Sequence, residues 1–251
     1  MYNLIRAELF KLRKDRSFRM LMLLLACASL GYPLLYYFDS VGEPQRTGAD
    51  FLVQFISGNG FIIKFGVAIL AGFFIANEYS TGVMKTIASS GNDRWKLFAA
   101  KLAGFLAGAM ALSLVFPVAS TIEASILSGF GHLPEGTSAL YIPRALGLTM
   151  LYAAGYAALG ALFTAILTDS GKTIGFSIIF FVMIDSVLVG LGTRIPFLAT
   201  VYDYSIFKRI GDIGAPRIDS GELPAMVLVP VLTIVASGLL GIAVYRRKEI
   251  K

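Results

Sequence analysis

Long apolar runs alternate with short polar breaks along almost the whole chain. An α-helix rises 1.5 Å per residue, so about 20 consecutive apolar residues cross the ~30 Å hydrocarbon core of a bilayer. Six such runs lie near residues 18–38, 56–76, 97–128, 142–167, 173–192 and 225–245. The pattern predicts an all-α polytopic membrane protein with six transmembrane helices, forming one domain over residues 1–251. The third run is longer than one crossing needs. Pro117 is expected to kink it, because proline removes a backbone donor and clashes with the preceding turn. Pro33 and Pro230 are expected to bend the first and sixth.

Composition supports the bilayer as solvent. Hydrophobic residues make up 56% and charged residues 15% of the chain, against about 45–50% and about 25% in soluble domains. Mean hydropathy is +0.73. One cysteine, Cys27, excludes an internal disulfide and a cysteine-based metal cluster, and one histidine, His132, leaves little room for metal or triad chemistry. No metal site and no nucleic-acid partner are expected.

Charge sets the expected orientation. Fifteen of the 22 lysines and arginines fall in the N-terminal segment, in residues 77–101, at Lys172 and in the C-terminal tail. Six fall in the intervening stretches at Arg46, Arg144, Arg194, Lys208, Arg209 and Arg217, and Lys64 lies inside a run. The positive-inside rule then places both termini in the cytoplasm and the loops 39–55, 129–141 and 193–224 outside. An even number of crossings agrees. The first run resembles a signal peptide, with Leu24-Leu25-Ala26-Cys27 as a weak cleavage box. The polar stretch before it is far longer than a usual signal n-region, so it is expected to stay as a span.

Residues 1–17 read as a basic amphipathic helix. Tyr2, Ile5, Leu9 and Leu12 recur at helical spacing, and Arg6, Lys11, Arg13, Lys14 and Arg16 crowd the other faces. Such a helix lies among lipid headgroups with its cations near anionic lipid. It serves either as an orientation signal or as an elbow that braces the first span.

Residues 77–96 form a polar break with helical patterning. Ser80 or Thr81 is a candidate N-cap, Tyr79, Val83 and Ile87 share one face with Met84 beside them, and Ser89-Ser90-Gly91 supplies a stop. Asn92 or Asp93 is a candidate cap for the next helix, with Trp95 at the membrane interface. Pattern alone leaves two readings open: a loop helix resting on the bilayer, or a docking helix for a cytoplasmic partner.

The stretch "NEYSTGVMKTIASSGNDRWKLFAAK" resembles the segment after the second span of ABC-2 type exporter permeases. Glu78, Gly82, the Val83–Ile87 stretch, Arg94 and Lys101 follow in the family's order, with Ser90-Gly91-Asn92 where a proline commonly precedes the arginine. The chain is similar in outline to bacitracin-type, lantibiotic-immunity and phenol-soluble-modulin exporter permeases. The resemblance implies an elbow helix, a coupling helix that docks an ATPase, and an extracellular re-entrant segment over 193–224. It also implies a plasma-membrane exporter of amphipathic or hydrophobic peptides, built from two permease copies and two cytoplasmic ATPase subunits that bind ATP and Mg. This chain itself would bind no cofactor. Docking would fall to Glu78, Tyr79, Gly82, Val83, Met84, Lys85 and Ile87, with Glu78 anchoring the helix base against a basic residue of the elbow.

The chain lacks an ATP site of its own. Gly171-Lys172-Thr173 resembles the end of a phosphate-binding loop, but the glycine required five positions earlier is Ile166. Gly171 and Lys172 are expected to form a tight turn between the fourth and fifth spans. Lys64 and Asp185 are charges inside spans, and each needs a partner or a wet path. They either pair, line a pathway with Glu123, or, for Lys64, snorkel outward. An ion-coupled secondary transporter using Lys64 and Asp185 is the competing reading. Gly104-x-x-x-Gly108 marks a close helix approach, within the chain or between copies.

Overall fold

A computed structural model of the chain describes residues 1–39, 45–88, 91, 93–219 and 221–247, and every regular element among them is helical. Six helices are long and apolar enough to cross a membrane: Arg16–Asp39, Gly48–Ser80, Arg94–Ser128, Tyr141–Leu167, Ser170–Gly192 and Leu223–Arg247. The elements are α1 (Tyr2–Lys14), α2 (Arg16–Asp39), α3 (Gly48–Leu70), α4 (Asn77–Ser80), α5 (Val83–Ala88), α6 (Arg94–Ser128), α7 (Tyr141–Leu167), α8 (Ser170–Gly192), α9 (Pro196–Asp203), α10 (Ile206–Arg209) and α11 (Leu223–Arg247).

The second membrane helix begins at Gly48, well before its apolar run. Thr47 and Asp50 form a capping box there: the Thr47 amide donates to Asp50 Oδ2 at 2.8 Å, and the Thr47 hydroxyl oxygen accepts from the Asp50 amide at 3.5 Å. This satisfies amides that the helix cannot pair internally. The rod continues from α3 through a π-helical segment, Ala71–Ala76, into α4. Such segments are rare and often mark functional positions. The start of α8 lies against it: a Cβ at Gly72 would fall 2.3 Å from Ile174 Cγ1.

Helices α6 and α7 form the centre of the bundle, with α3 packed against both and α11 against α7. Tyr152, Tyr156, Ala153, Ala157 and Phe105 are fully enclosed there. Helices α2 and α8 lie at the periphery, with Leu23, Leu35, Ile179 and Met183 turned outward. An apolar outer surface is what lipid contact requires. Helix α6 runs as one 35-residue helix through Pro117.

Helix α1 and the last turn of α11 lie at one end of the bundle. Arg94 Nη1 approaches the Arg246 carbonyl at 3.5 Å, and the Ser170 amide donates to Ser80 Oγ at 3.4 Å. The α7–α8 turn is made by Thr168, at φ 55°, and Asp169, whose side chain accepts from the Lys172 amide. Gly171 and Lys172 therefore belong to the first turn of α8 rather than to the turn itself, because Asp169 caps the helix ahead of them.

At the opposite end, residues 193–224 hold α9, α10 and a short 3-10 turn, Ile210–Asp212. Residues 206–216 of it pack against α3 and α7. Ile206, Ile210 and Ile213 are buried, and a Cβ at Gly60 would lie 3.6 Å from Ile210. Arg144 donates to the carbonyls of Ala215 at 2.5 Å and Pro216 at 3.4 Å, and Tyr141 donates to the Gly214 carbonyl at 3.2 Å.

The Gly104–Gly108 pair receives α1. A Cβ on Gly104 would sit 3.0 Å from Glu8 Cβ, and one on Gly108 3.0 Å from Leu12 Cδ1. The close approach lies within the chain. Leu12 is buried, Leu4 packs on the core, and Tyr2, Leu9 and Phe10 remain exposed. Helix α1 thus presents one face to α6 and another outward. Gly104→Ile should lift α1 from α6 at a cost of about 1–3 kcal/mol, as overpacking does. Faster proteolysis after Arg13 or Lys14 in the intact protein would report it; an unchanged cleavage rate would refute this packing role.

Candidate functional site

Among the described residues two clusters of charge lie within the bundle, one around Glu78 of α4 and one nearer the opposite end. The first begins at the turn between α4 and α5. Gly82 has φ 73°, a left-handed conformation that costs glycine nothing and reverses the chain tightly. Ser80 and Thr81 do not cap α5. Their hydroxyls donate back to the carbonyls of Ala76 at 3.3 Å and Asn77 at 2.8 Å, closing α4 instead. Asp93 occupies the N-cap position of α6 without a side-chain capping bond and pairs with Lys96 at 2.5 Å. Ser89, Ser90 and Asn92 lie outside the described residues.

The turn at Gly82 aims one side of α5 into the protein. Met84 is 1% exposed, and Tyr245 near the end of α11 donates its hydroxyl to Met84 Sδ at 3.2 Å. Tyr79 meets the Tyr245 ring edge-on at 6.4 Å, and Phe98 meets it at 5.8 Å. Met84 therefore belongs to the core rather than to an exposed face shared with Val83. Helical spacing gives the period, but the direction of the turn decides which side points inward. Val83 is 46% exposed; Ile87 is half-buried against the core; Lys85 lies within α5.

In the first cluster, two carboxylates and two ammonium groups interlock. Glu78 accepts from Lys11 through one oxygen and from Lys101 through the other. Lys101 also reaches Glu8 at 2.9 Å, and Lys11 reaches Glu8 at 3.5 Å. Lys11 further donates to the Phe74 carbonyl at 3.2 Å, inside the π segment, and lies 4.2 Å from the Phe74 ring centroid. Lys101 is 3% exposed. The four charges sum to zero and each is hydrogen-bonded, which is the condition for enclosing Lys101 and Glu78, the two least exposed members. The cluster ties together α1, the end of the second membrane helix and the start of the third.

Glu78 does pair with a basic residue of α1, and Lys101, noted in the motif, completes the cluster. Glu8 and Tyr245 carried no comparable signal. The available hint for Glu8 is that it is the lone acidic residue within α1.

The second cluster joins Lys64 of α3 to Asp185 of α8 at 2.5 Å. Lys64 does not snorkel outward: its ammonium finds a carboxylate on the neighbouring helix. The other oxygen of Asp185 is buried without a hydrogen-bond partner among the described residues, as are the hydroxyls of Tyr152, Tyr156, Thr173 and Ser177. Tyr202 of α9 lies near enough that burial first, and the Asp185 charge second, push its phenol above the ordinary range. Glu123 stands apart from this pair: neither Lys64 nor Asp185 bonds to it. Its Oε2 is likewise buried and unpartnered among the described residues.

Removing one member of a buried pair strands the other, typically at about 3–5 kcal/mol. Asp185→Asn should therefore lower the melting temperature in detergent, whereas Lys64→Met with Asp185→Leu should recover most of the loss. A neutral Asp185→Asn would remove the pair from the account of stability.

A comparison with curated proteins found no match. A family model described as ABC-2 family transporter protein matches residues 4–185, a stretch that contains every charged member of both clusters. Because that match covers well over half of the chain, the protein belongs to the ABC-2 family and is a multi-pass membrane permease of an ABC transporter, whose ATPase is a separate subunit.

Proposed function

We propose that this permease is half of a homodimeric exporter that moves amphipathic or hydrophobic peptides out of the cytoplasm, as in bacitracin-type, lantibiotic-immunity and phenol-soluble-modulin export. Helix α5 is its coupling helix, α1 its elbow, and residues 193–224 its extracellular re-entrant segment. Both termini face the cytoplasm, where ATP and Mg act on the ATPase.

The observation that carries this reading is the four-residue ion cluster around Glu78. Coupling needs a rigid element whose position differs between two states. Helix α5 follows the Gly82 turn directly from α4, whose Glu78 is tied to Lys11 of α1 and Lys101 of the third membrane helix, so displacement of α5 would pull on α1 and the two spans it adjoins. The Tyr245–Met84 bond adds the last span. Closure of an ATPase pair would thus reach several membrane helices together. The exposed side of α5, with Val83, is left to meet the ATPase, and the peripheral apolar faces of α2 and α8 suit lipid and greasy cargo.

Transport in proteoliposomes tests the reading. With the ATPase and ATP, a fluorescent amphipathic peptide should cross; without ATP, an imposed ion gradient should not move it. Uptake by the permease alone under an ion gradient would favour an ion-coupled carrier acting through Lys64 and Asp185.

A further inference from the structure

We propose that the groove between α1, α2 and α6 is a binding site for one anionic phospholipid. The groove is a shallow depression open along the outer face of the bundle, as a site filled sideways from a bilayer would be. Its walls are apolar: Leu9 and Leu12 from α1, Phe18 and Met22 from α2, and Ala111 from α6. Arg13 and Arg19 complete it, and both are exposed.

The two arginines are held differently. Arg19 donates to the carbonyls of Lys14 at 3.2 Å and Asp15 at 3.4 Å, which fixes its guanidinium over the joint between α1 and α2. Arg13 has no ion-pair partner among the described residues. Neither neighbouring acid forms an ion pair with Arg13 or Arg19 among the described residues. Asp15 accepts from the Phe18 amide at 2.8 Å at the start of α2. Glu8 is engaged by Lys101 and Lys11 on the other side of α1.

An apolar trough with two guanidinium groups beside it matches a phosphate headgroup joined to an acyl chain. Arginine forks pair with phosphate oxygens, and the chain has room to run past Met22 toward Ala111. The level is also right, because the groove opens where the amphipathic helix meets the start of the first membrane helix. A bound lipid would wedge α1 against α6 and so brace the ion cluster on its far side. The inference shares with the proposed function only the placement of α1 at the headgroup level.

Native mass spectrometry of the full chain, purified in detergent and given phosphatidylglycerol or phosphatidylcholine, tests it without the ATPase. The wild type should retain one phosphatidylglycerol in preference to phosphatidylcholine. Arg13→Gln with Arg19→Gln should weaken that retention by at least ~10-fold, the effect of losing charge-assisted arginine–phosphate hydrogen bonds. Ala111→Phe should obstruct the trough and weaken it with both arginines in place. Arg6→Gln with Lys14→Gln, which removes as much charge outside the groove, should leave retention intact. Equal retention of the two lipids, or equal loss with both pairs of charge changes, would overturn the proposal. An ATPase that docks normally on a chain failing this test would show that the lipid site, and not the coupling helix, is wrong.

Discussion

Lys101→Met should be the most damaging single change at the α5 end of the bundle, lowering stability by about 3–5 kcal/mol. Lys101 is enclosed and bonds both Glu78 and Glu8. Without it, two carboxylates share one ammonium, that of Lys11, which is itself one-third exposed. The loss is a large fraction of the net stability of a typical domain, about 5–15 kcal/mol. A lower yield of monodisperse protein and a fall in Tm should follow. Adding Glu78→Gln to Lys101→Met should restore part of the loss, because the deficit is a stranded charge rather than missing volume. That recovery separates an ion cluster from a merely crowded lysine. If Lys101→Met melted like the wild type, the cluster could not be what holds α4, and through it α5, against α1 and the third span.

Val83→Asp should act in the opposite way, sparing the fold and removing the partner. Val83 projects from α5 at 46% exposure, and surface changes of this kind usually alter stability by no more than about 0.5 kcal/mol. A charge forced into an apolar docking contact is far more costly; losses of about 2–4 kcal/mol are usual at an interface hot spot. Co-purification of the ATPase with the permease should therefore fall by at least ~30-fold while the melting curve is preserved. Met84→Asp supplies the contrast. It places a carboxylate against Tyr245 and should damage the fold itself, so ATPase loss there carries no information about docking. Undiminished co-purification with Val83→Asp would mean that this side of α5 does not meet the ATPase.

The six membrane helices were legible because a bilayer imposes long uninterrupted apolar runs, and chain order fixes which ends lie together. Their limits were less legible. The start at Gly48 depends on the Thr47–Asp50 capping box, a polar signal outside the apolar run. The Lys64–Asp185 pair was within reach of sequence, as two opposite charges inside spans have few alternatives. Gly104 and Gly108 announced a close approach but not its partner, α1. The cluster around Glu78 was half visible. Local order gave Glu78 and Lys101, but Glu8 joins Lys101 across 93 positions, and no local pattern encodes such a meeting. The side of α5 facing the core was hidden for a related reason. Val83 and Met84 are adjacent on the helix, and only the direction of the Gly82 turn and the position of Tyr245 separate them.

In the proposed function, α5 lies on the cytoplasmic side and transmits motion from an ATPase. Cysteine labelling tests it directly. Val83→Cys in a Cys27→Ser background leaves one exposed thiol, since Cys27 is the chain's single native cysteine. A membrane-impermeant maleimide should label it in inverted vesicles and not in intact cells, and co-expressed ATPase should protect it. Labelling from outside intact cells would contradict the account.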